Sequence, residues 1–203
     1  NKKCLTPESL KIKNINILLN KCNKNNIDNI KKEISSIILD DKDIIILVID
    51  NILEKCIIQI QYIPLYLSIV KDLIEKCDYD IFNKCSKMKL DKFKNNNFKK
   101  DYDGLCDYNK NIDDCIGLCM LILNLQKQNI VTGMLDDMIN TLFNNIIIKD
   151  NDICYKYISC LYNIFYSIDD SYILKYDERL KALKDSKISK KNKFKIMDIL
   201  EMV

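Results

Sequence analysis

IIILVIDNILEKCIIQI, residues 44–60, decides how the rest of the chain is read. Ile45, Val48, Ile49, Ile52, Leu53, Cys56, Ile57 and Ile60 recur at i, i+3, i+4, i+7, the spacing of one face of an α-helix. Ile44-Ile45-Ile46 alone would suit a buried strand, since β-branched residues favour sheets. The 3.6-residue period outvotes that preference because it continues for several turns past the isoleucine run. Asp50, Glu54 and Lys55 fall off the apolar stripe.

The same period extends in both directions. Ile15, Leu18, Leu19 and Cys22 mark a short helix, and Ile27, Ile30, Ile34, Ile37 and Ile38 a second. Beyond residue 60, Tyr62, Tyr66, Ile69, Val70, Leu73 and Cys77 continue it, with Pro64 suited to the first turn. Residues 78–93, with Phe82, Cys85 and Phe93, read as a further helix. Residues 94–110, KNNNFKKDYDGLCDYNK, are polar and low in complexity and read as a loop. Apolar positions then resume at Cys115, Leu118, Cys119, Ile122 and Leu125. Val131, Leu135, Met138, Leu142 and Ile146 follow, then Cys154, Tyr157, Ile158, Leu161, Ile164 and Phe165. Ile173, Tyr176, Leu180 and Leu183 precede a last helix with Ile196, Ile199, Leu200 and Val203.

About ten helices joined by short polar breaks make antiparallel neighbours. A period of roughly 40 residues per helix pair matches HEAT-type repeats, in which each pair buries its apolar face on the next. The expected fold is therefore all-α, a right-handed α-solenoid of about five antiparallel HEAT-like helix pairs, with a compact helical bundle as the alternative. Residues 1–11 read as an N-terminal extension and 12–203 as one domain with 94–110 its internal loop. A chain opening on Asn1 reads as a piece of a longer protein.

Composition narrows the chemistry. The 203 residues include no histidine, so no imidazole base, Ser-His or Cys-His pair, or His-ligated metal is available. Gly104, Gly117 and Gly133 stand too far apart for a phosphate-cradling loop. Net charge is +3, and every basic residue but Arg179 is lysine, a usage that looks like AT-rich coding. The ten cysteines contain no Cys-x-x-Cys, and Cys22, Cys56, Cys77, Cys119, Cys154 and Cys160 fall in or beside apolar patterns. They read as reduced, small hydrophobes. Cys115 and Cys119 share a helix face but lack a second ligand pair, so neither a metal nor another cofactor is expected. Asp136-Asp137 and Asp169-Asp170 read as helix-start or turn signals rather than acid/base pairs. No enzyme activity is expected, and no apolar run approaches the ~20 residues of a membrane span.

Several segments, in order, resemble the middle domain of eukaryotic translation initiation factor 4 gamma. Leu18-Leu19-Asn20-Lys21 followed by Ile27 is similar to a family helix ending in Leu-Asn-Lys and the large apolar residue after it. Ile49-Asp50-Asn51-Ile52-Leu53-Glu54-Lys55-Cys56 resembles its Ile-Asp-x-Ile-Phe-Glu-Lys-Ala core, and Asn83-Lys84-Cys85-Ser86 its Asn-Arg-Cys-Gln. Residues 116–131 and 151–168 resemble two later helices. Ser189-Lys190-Lys191-Asn192-Lys193-Phe194, leading to Met197-Asp198-Ile199-Leu200, resembles the start of the last one. The resemblance covers nearly everything after about Ile12. Two departures are plain: Lys191 and Lys193 replace an arginine pair, and Asp113-Asp114 stands where the family has Gly-Asn.

What the resemblance implies is a cytoplasmic translation-initiation scaffold. It would be a monomer within a larger protein that grips and stimulates the DEAD-box RNA helicase initiation factor 4A, with further contacts to RNA and initiation factor 3. Its helicase-binding candidates are Leu19, Asn20, Lys21, Ile27, Glu54, Lys55, Lys190, Lys191, Lys193 and Phe194. Leu19 and Ile27 also read as ordinary core, and Glu54 and Lys55 as a solvated helix face. Lys84, Lys87, Lys94, Lys99 and Lys100, interleaved with Phe93 and Phe98, are RNA-binding candidates, lysine mixed with aromatics being suited to single strands, but AT-rich coding yields such lysine runs by default and solvation is the favoured reading there. The alternatives are a related middle-domain scaffold in cap-binding, nonsense-mediated decay or splicing complexes, or a transport-type solenoid that binds peptide segments.

Overall fold

Asp41 starts the helix that residues 44–60 dominate. In the computed structural model, which describes residues 6–39, 41–76, 102–148 and 151–202, its carboxylate accepts the backbone N–H groups of Asp43 (3.2 Å) and Ile44 (3.3 Å). Capping of this kind satisfies donors that the first turn leaves over. Among the described residues every regular element is helical and no strand occurs. The helices are α1 (Pro7–Lys21), α2 (Ile27–Ile38), α3 (Lys42–Ile58), a 3-10 turn (Ile60–Tyr62), α4 (Ile63–Ile74), α5 (Tyr102–Lys127), α6 (Met134–Ile148), α7 (Asn151–Tyr166), α8 (Asp170–Asp185) and α9 (Lys190–Leu200). None of them is long and apolar enough to cross a membrane.

The chain divides into two compact units, Asn1–Lys94 and Asn95–Val203. In the first, α3 packs against both α1 and α4, and α1 also packs on α2. Neighbours on two sides explain why α3 buries a stripe as wide as Ile44, Ile45, Val48, Ile49, Ile52, Leu53 and Cys56. The isoleucine run is therefore helical. Ile60 and Tyr62 belong to neither long helix; they form the 3-10 turn, across which the Tyr66 hydroxyl donates to Gln59 Oε1 at 2.7 Å. Pro64 loses nothing in the first turn of α4, where its missing N–H has no partner to find. Helix α1 starts at Pro7, inside the segment expected to extend ahead of the domain. The cause is a local signal rather than periodicity: the Thr6 hydroxyl accepts from the Ser9 N–H (3.2 Å), and Pro7 opens the helix.

In the second unit α7 is the hub, packing on α5, α6 and α9, while α9 also packs on α8. Enclosure on several sides buries Cys154, Tyr157, Ile158, Cys160, Leu161, Ile164 and Phe165 of this one helix. Residues 102–110, expected as part of a loop over 94–110, form the first turns of α5; 94–101 lie outside the described residues. Once Ile112, Cys115, Leu118 and Cys119 are anchored in the core, each further polar residue adds a backbone hydrogen bond without a new nucleus. Asn129, with φ 55°, ends α5: its N–H donates to the Gln126 carbonyl and that of Ile130 to the Leu125 carbonyl, each at 2.9 Å. This is the Schellman arrangement, accompanied as usual by a buried apolar pair, Leu125 and Ile130. Val131, expected at the head of the next helix, is buried but lies in the link. Gly133, at φ 78°, breaks the helical path between it and Met134.

Candidate functional site

Two of the sequence-derived patches can be built side chain by side chain, one in each unit. In the first, the last turn of α1 carries Asn20 and Lys21 on its exposed side, with Leu19 turned inward and only 1% exposed. Leu19 is core, and a partner cannot reach it. Lys55, half-buried on α3, donates from Nζ to Asn20 Oδ1 at 2.7 Å. That bond joins the Leu18–Lys21 and Ile49–Cys56 segments. Lys21 is held to α2 through its carbonyl, which accepts from Asn26 Nδ2 at 2.9 Å, and Ile27 follows half-buried as the first residue of α2. Glu54 is exposed on α3, one turn before Ile58, itself 74% exposed. The structure thus brings Asn20 and Lys55 together, places Lys21 and Glu54 at exposed positions and removes Leu19 from the surface.

The second patch is the start of α9. Ser189 caps it, its hydroxyl accepting from the Asn192 N–H at 3.3 Å, which fixes the direction of the lysines that follow. Lys191 does not project freely: its Nζ sits 3.7 Å from the centroid of the Tyr155 ring of α7. Lys195 Nζ lies 5.1 Å from Tyr155 and 5.0 Å from Tyr162, and Tyr162 stacks on Tyr166 at 6.0 Å. Ammonium over a ring face is worth about 0.5–1 kcal/mol at sites open to water. Burial pushes the Tyr155 phenol up, but other groups, the Lys195 and Lys191 charges among them, outweigh it and leave the phenol below its ordinary value. Lys190 and Phe194 lie one position along α9 from Lys191 and Lys195, both exposed, with Lys193 half-buried. Tyr155, Tyr162 and Tyr166 were not singled out by sequence. Their i, i+7, i+11 spacing is the signal that marks them as one face of α7.

The lysines proposed for RNA, Lys84, Lys87, Lys94, Lys99 and Lys100, with Phe93 and Phe98, lie outside the described residues. Among the described residues no three acidic or cysteine side chains gather at metal-ligand distance. Cys115 and Cys119 are both buried. Burial pushes the thiols of Cys56 and Cys115 up to about 12, and that of Cys160 well up too. At about 12 a thiol holds roughly a thousandfold less thiolate than an ordinary one near 8.5. Cys106 is the exposed cysteine of the described set. Iodoacetamide at pH 8 is therefore expected to label Cys106 long before Cys56, Cys115 and Cys160, as read by peptide mapping. Equal labelling of all four in the folded chain would contradict the packing of α3, α5 and α7.

One polar cluster was read only as a helix start. Asp136 stands in the first turn of α6, where it suits the helix dipole, and its Oδ1 also accepts from the Tyr172 hydroxyl (2.8 Å), the Tyr176 hydroxyl (2.6 Å) and Lys175 Nζ (2.8 Å), all on α8. This clasp, made entirely on Oδ1, holds α8 to α6. Comparison with known proteins finds no matching family model, no matching curated protein and no matching solved structure.

Proposed function

We propose that the chain is a helical scaffold of the kind its sequence resembles, a translation-initiation adaptor that grips the DEAD-box helicase initiation factor 4A in the cytoplasm. In this reading its helix pairs stack as a right-handed solenoid of HEAT-like repeats, RNA and initiation factor 3 are secondary partners, and the ATP chemistry belongs entirely to the helicase. The observation that carries the proposal is the shared order of short segments from Ile12 onward. It is supported by the meeting of two of them, on α1 and α3, through Lys55 and Asn20. The exposed Lys190 and Phe194 at the head of α9 supply a further contact of mixed charge and apolar character. Aromatic residues such as Phe194 are enriched at interface cores, and a rim charge such as Lys190 steers the encounter.

The test is to mix the chain with the initiation helicase of the same organism and measure binding and RNA-dependent ATPase. Binding at micromolar concentration with a raised ATPase rate is expected. Lys190→Glu combined with Phe194→Ala should weaken binding at least tenfold, about 1.4 kcal/mol. Lys191→Glu and Lys193→Glu added to that pair should weaken it further, with thermal melting used to separate lost contact from loss of the Lys191–Tyr155 stack. An unchanged affinity would move the interface away from α9, and no binding at micromolar concentration would end the proposal.

A further inference from the structure

A cavity of about 400 Å³ opens in the second unit between the end of α6, the start of α7 and the end of α8. Its walls are apolar: Phe143 and Ile146 of α6 and Leu183 of α8 face it from the core, and Ile147, 74% exposed, and Ile188 form its edge. Such a volume lies within the range of small-ligand sites. The charged groups described at its rim are of one sign. Among the described residues Arg179 and Lys187 line it and no acidic residue does, although the chain as a whole is nearly balanced at 32 basic and 29 acidic residues.

Arg179 carries the rest of the argument. It is the single arginine in a chain that uses lysine at every other basic position, so the one guanidinium fork, the group that pairs a carboxylate through two parallel bonds, stands at this cavity. It is also held in place: its Cζ sits 4.3 Å from the centroid of the Phe143 ring, and one of its nitrogens donates to Asn140 Oδ1. No described carboxylate forms an ion pair with it or with Lys187. An apolar hollow whose described rim carries an oriented guanidinium and a second cation is complementary to a molecule with a hydrocarbon body and an anionic end.

We propose that this cavity binds a single-chain carboxylate, its tail of about eight to ten carbons against Phe143, Ile146 and Leu183 and its carboxylate on Arg179 and Lys187. Binding should tighten about three- to fourfold for each methylene added up to the length that fills the hollow. It is independent of the scaffold role and stands or falls without it.

The experiment titrates the full chain with decanoate and with decanol, each below its aggregation limit, by calorimetry. Saturable binding of decanoate at one site is expected, at least tenfold tighter than decanol. Lys187→Gln should weaken decanoate about tenfold without changing decanol, and Arg179→Lys, which keeps the charge and removes the fork, should weaken decanoate too. Ala182→Phe, at an exposed position of the lining, should block both ligands while the melting temperature holds. A spin-labelled decanoate should broaden the methyl signals of Ile147 and Ile188. Equal affinity for acid and alcohol, broadening confined to other methyls, or the absence of saturable binding would each overturn the proposal.

Discussion

Leu161→Ala is expected to lower stability by about 2–5 kcal/mol, the range found when a large aliphatic side chain is removed from a core that cannot close over the gap. Leu161 has no exposed surface, and its helix is pressed by α5, α6 and α9 at once. A helix fixed on several sides cannot slide to fill a void without opening another contact. The lost side chain therefore costs its transfer energy and most of the cavity term as well. Against a total stability of about 5–15 kcal/mol, this is a large share. At roughly 2–4 °C per kcal/mol for a chain of this size, the melting temperature falls by roughly 4–20 °C. Tyr166→Ala, on the same helix but 73% exposed, is the control and should stay within about 0.5 kcal/mol. Urea unfolding followed by far-UV circular dichroism reads both, and an unchanged slope identifies a pure stability effect. A loss below about 1 kcal/mol for Leu161→Ala would mean that α7 is not the enclosed hub of its unit.

The contrast between those two residues shows what sequence periodicity can and cannot reveal. Cys154, Ile158, Leu161 and Phe165 are legible as core because burial repeats with the helix, and the isoleucines of α3 are legible for the same reason. Tyr155 and Tyr162 are not, because their partners Lys191 and Lys195 lie on another helix and meet them only through the packing of α7 on α9. At Leu19 two sequence signals conflict, and the apolar stripe that reads it as core prevails. A motif places it beside Asn20 and Lys21, but one residue along a helix is a turn of about 100°, enough to pass from surface to core. The opening turns of α5 read as loop because Gly104 and a run of Asp, Asn and Lys interrupt their apolar positions. Their helicity is borrowed from the buried turns that follow. The start of α1 was written in the sequence all the same, as Thr6-Pro7, a capping signal that a search for apolar stripes does not weigh.

Asp136 is the residue whose role most exceeds its sequence signature, and Asp136→Ala should cost about 1.5–3 kcal/mol. The loss comes mainly from the two tyrosines. Tyr176 is 5% exposed, with its ring stacked on Phe143 at 5.9 Å and tilted against Phe165 at 6.0 Å, so its hydroxyl cannot swing out to water when the acceptor is removed. Lys175 is half in solvent and adds little, as exposed ion pairs do. The effect depends on pH with a definite sign. Burial pushes the Asp136 carboxyl up, but the hydrogen bonds from Lys175, Tyr176 and Tyr172 and the Lys175 charge outweigh it, and the carboxyl sits below the usual carboxylate range. Its contribution is therefore complete above the unfolded value of about 3.9 and disappears as pH falls through the lower folded one. Burial raises the Tyr176 phenol, and the Asp136 hydrogen bond and charge raise it further. That contribution is complete below the unfolded value of about 10 and is lost as pH rises through the folded one. The clasp thus stabilises most between about pH 4 and pH 10. Asp136→Asn, which keeps an acceptor but removes the charge, should lose less than the alanine variant at pH 7, flatten the acid limb and only reduce the alkaline one, because burial still raises the Tyr176 phenol. Urea midpoints for wild type and Asp136→Asn from about pH 2.5 to pH 10.5 test this directly. The two curves should converge as the acid limit is approached, and curves that stay parallel down to pH 2.5 would show that the carboxylate does not hold α8 to α6.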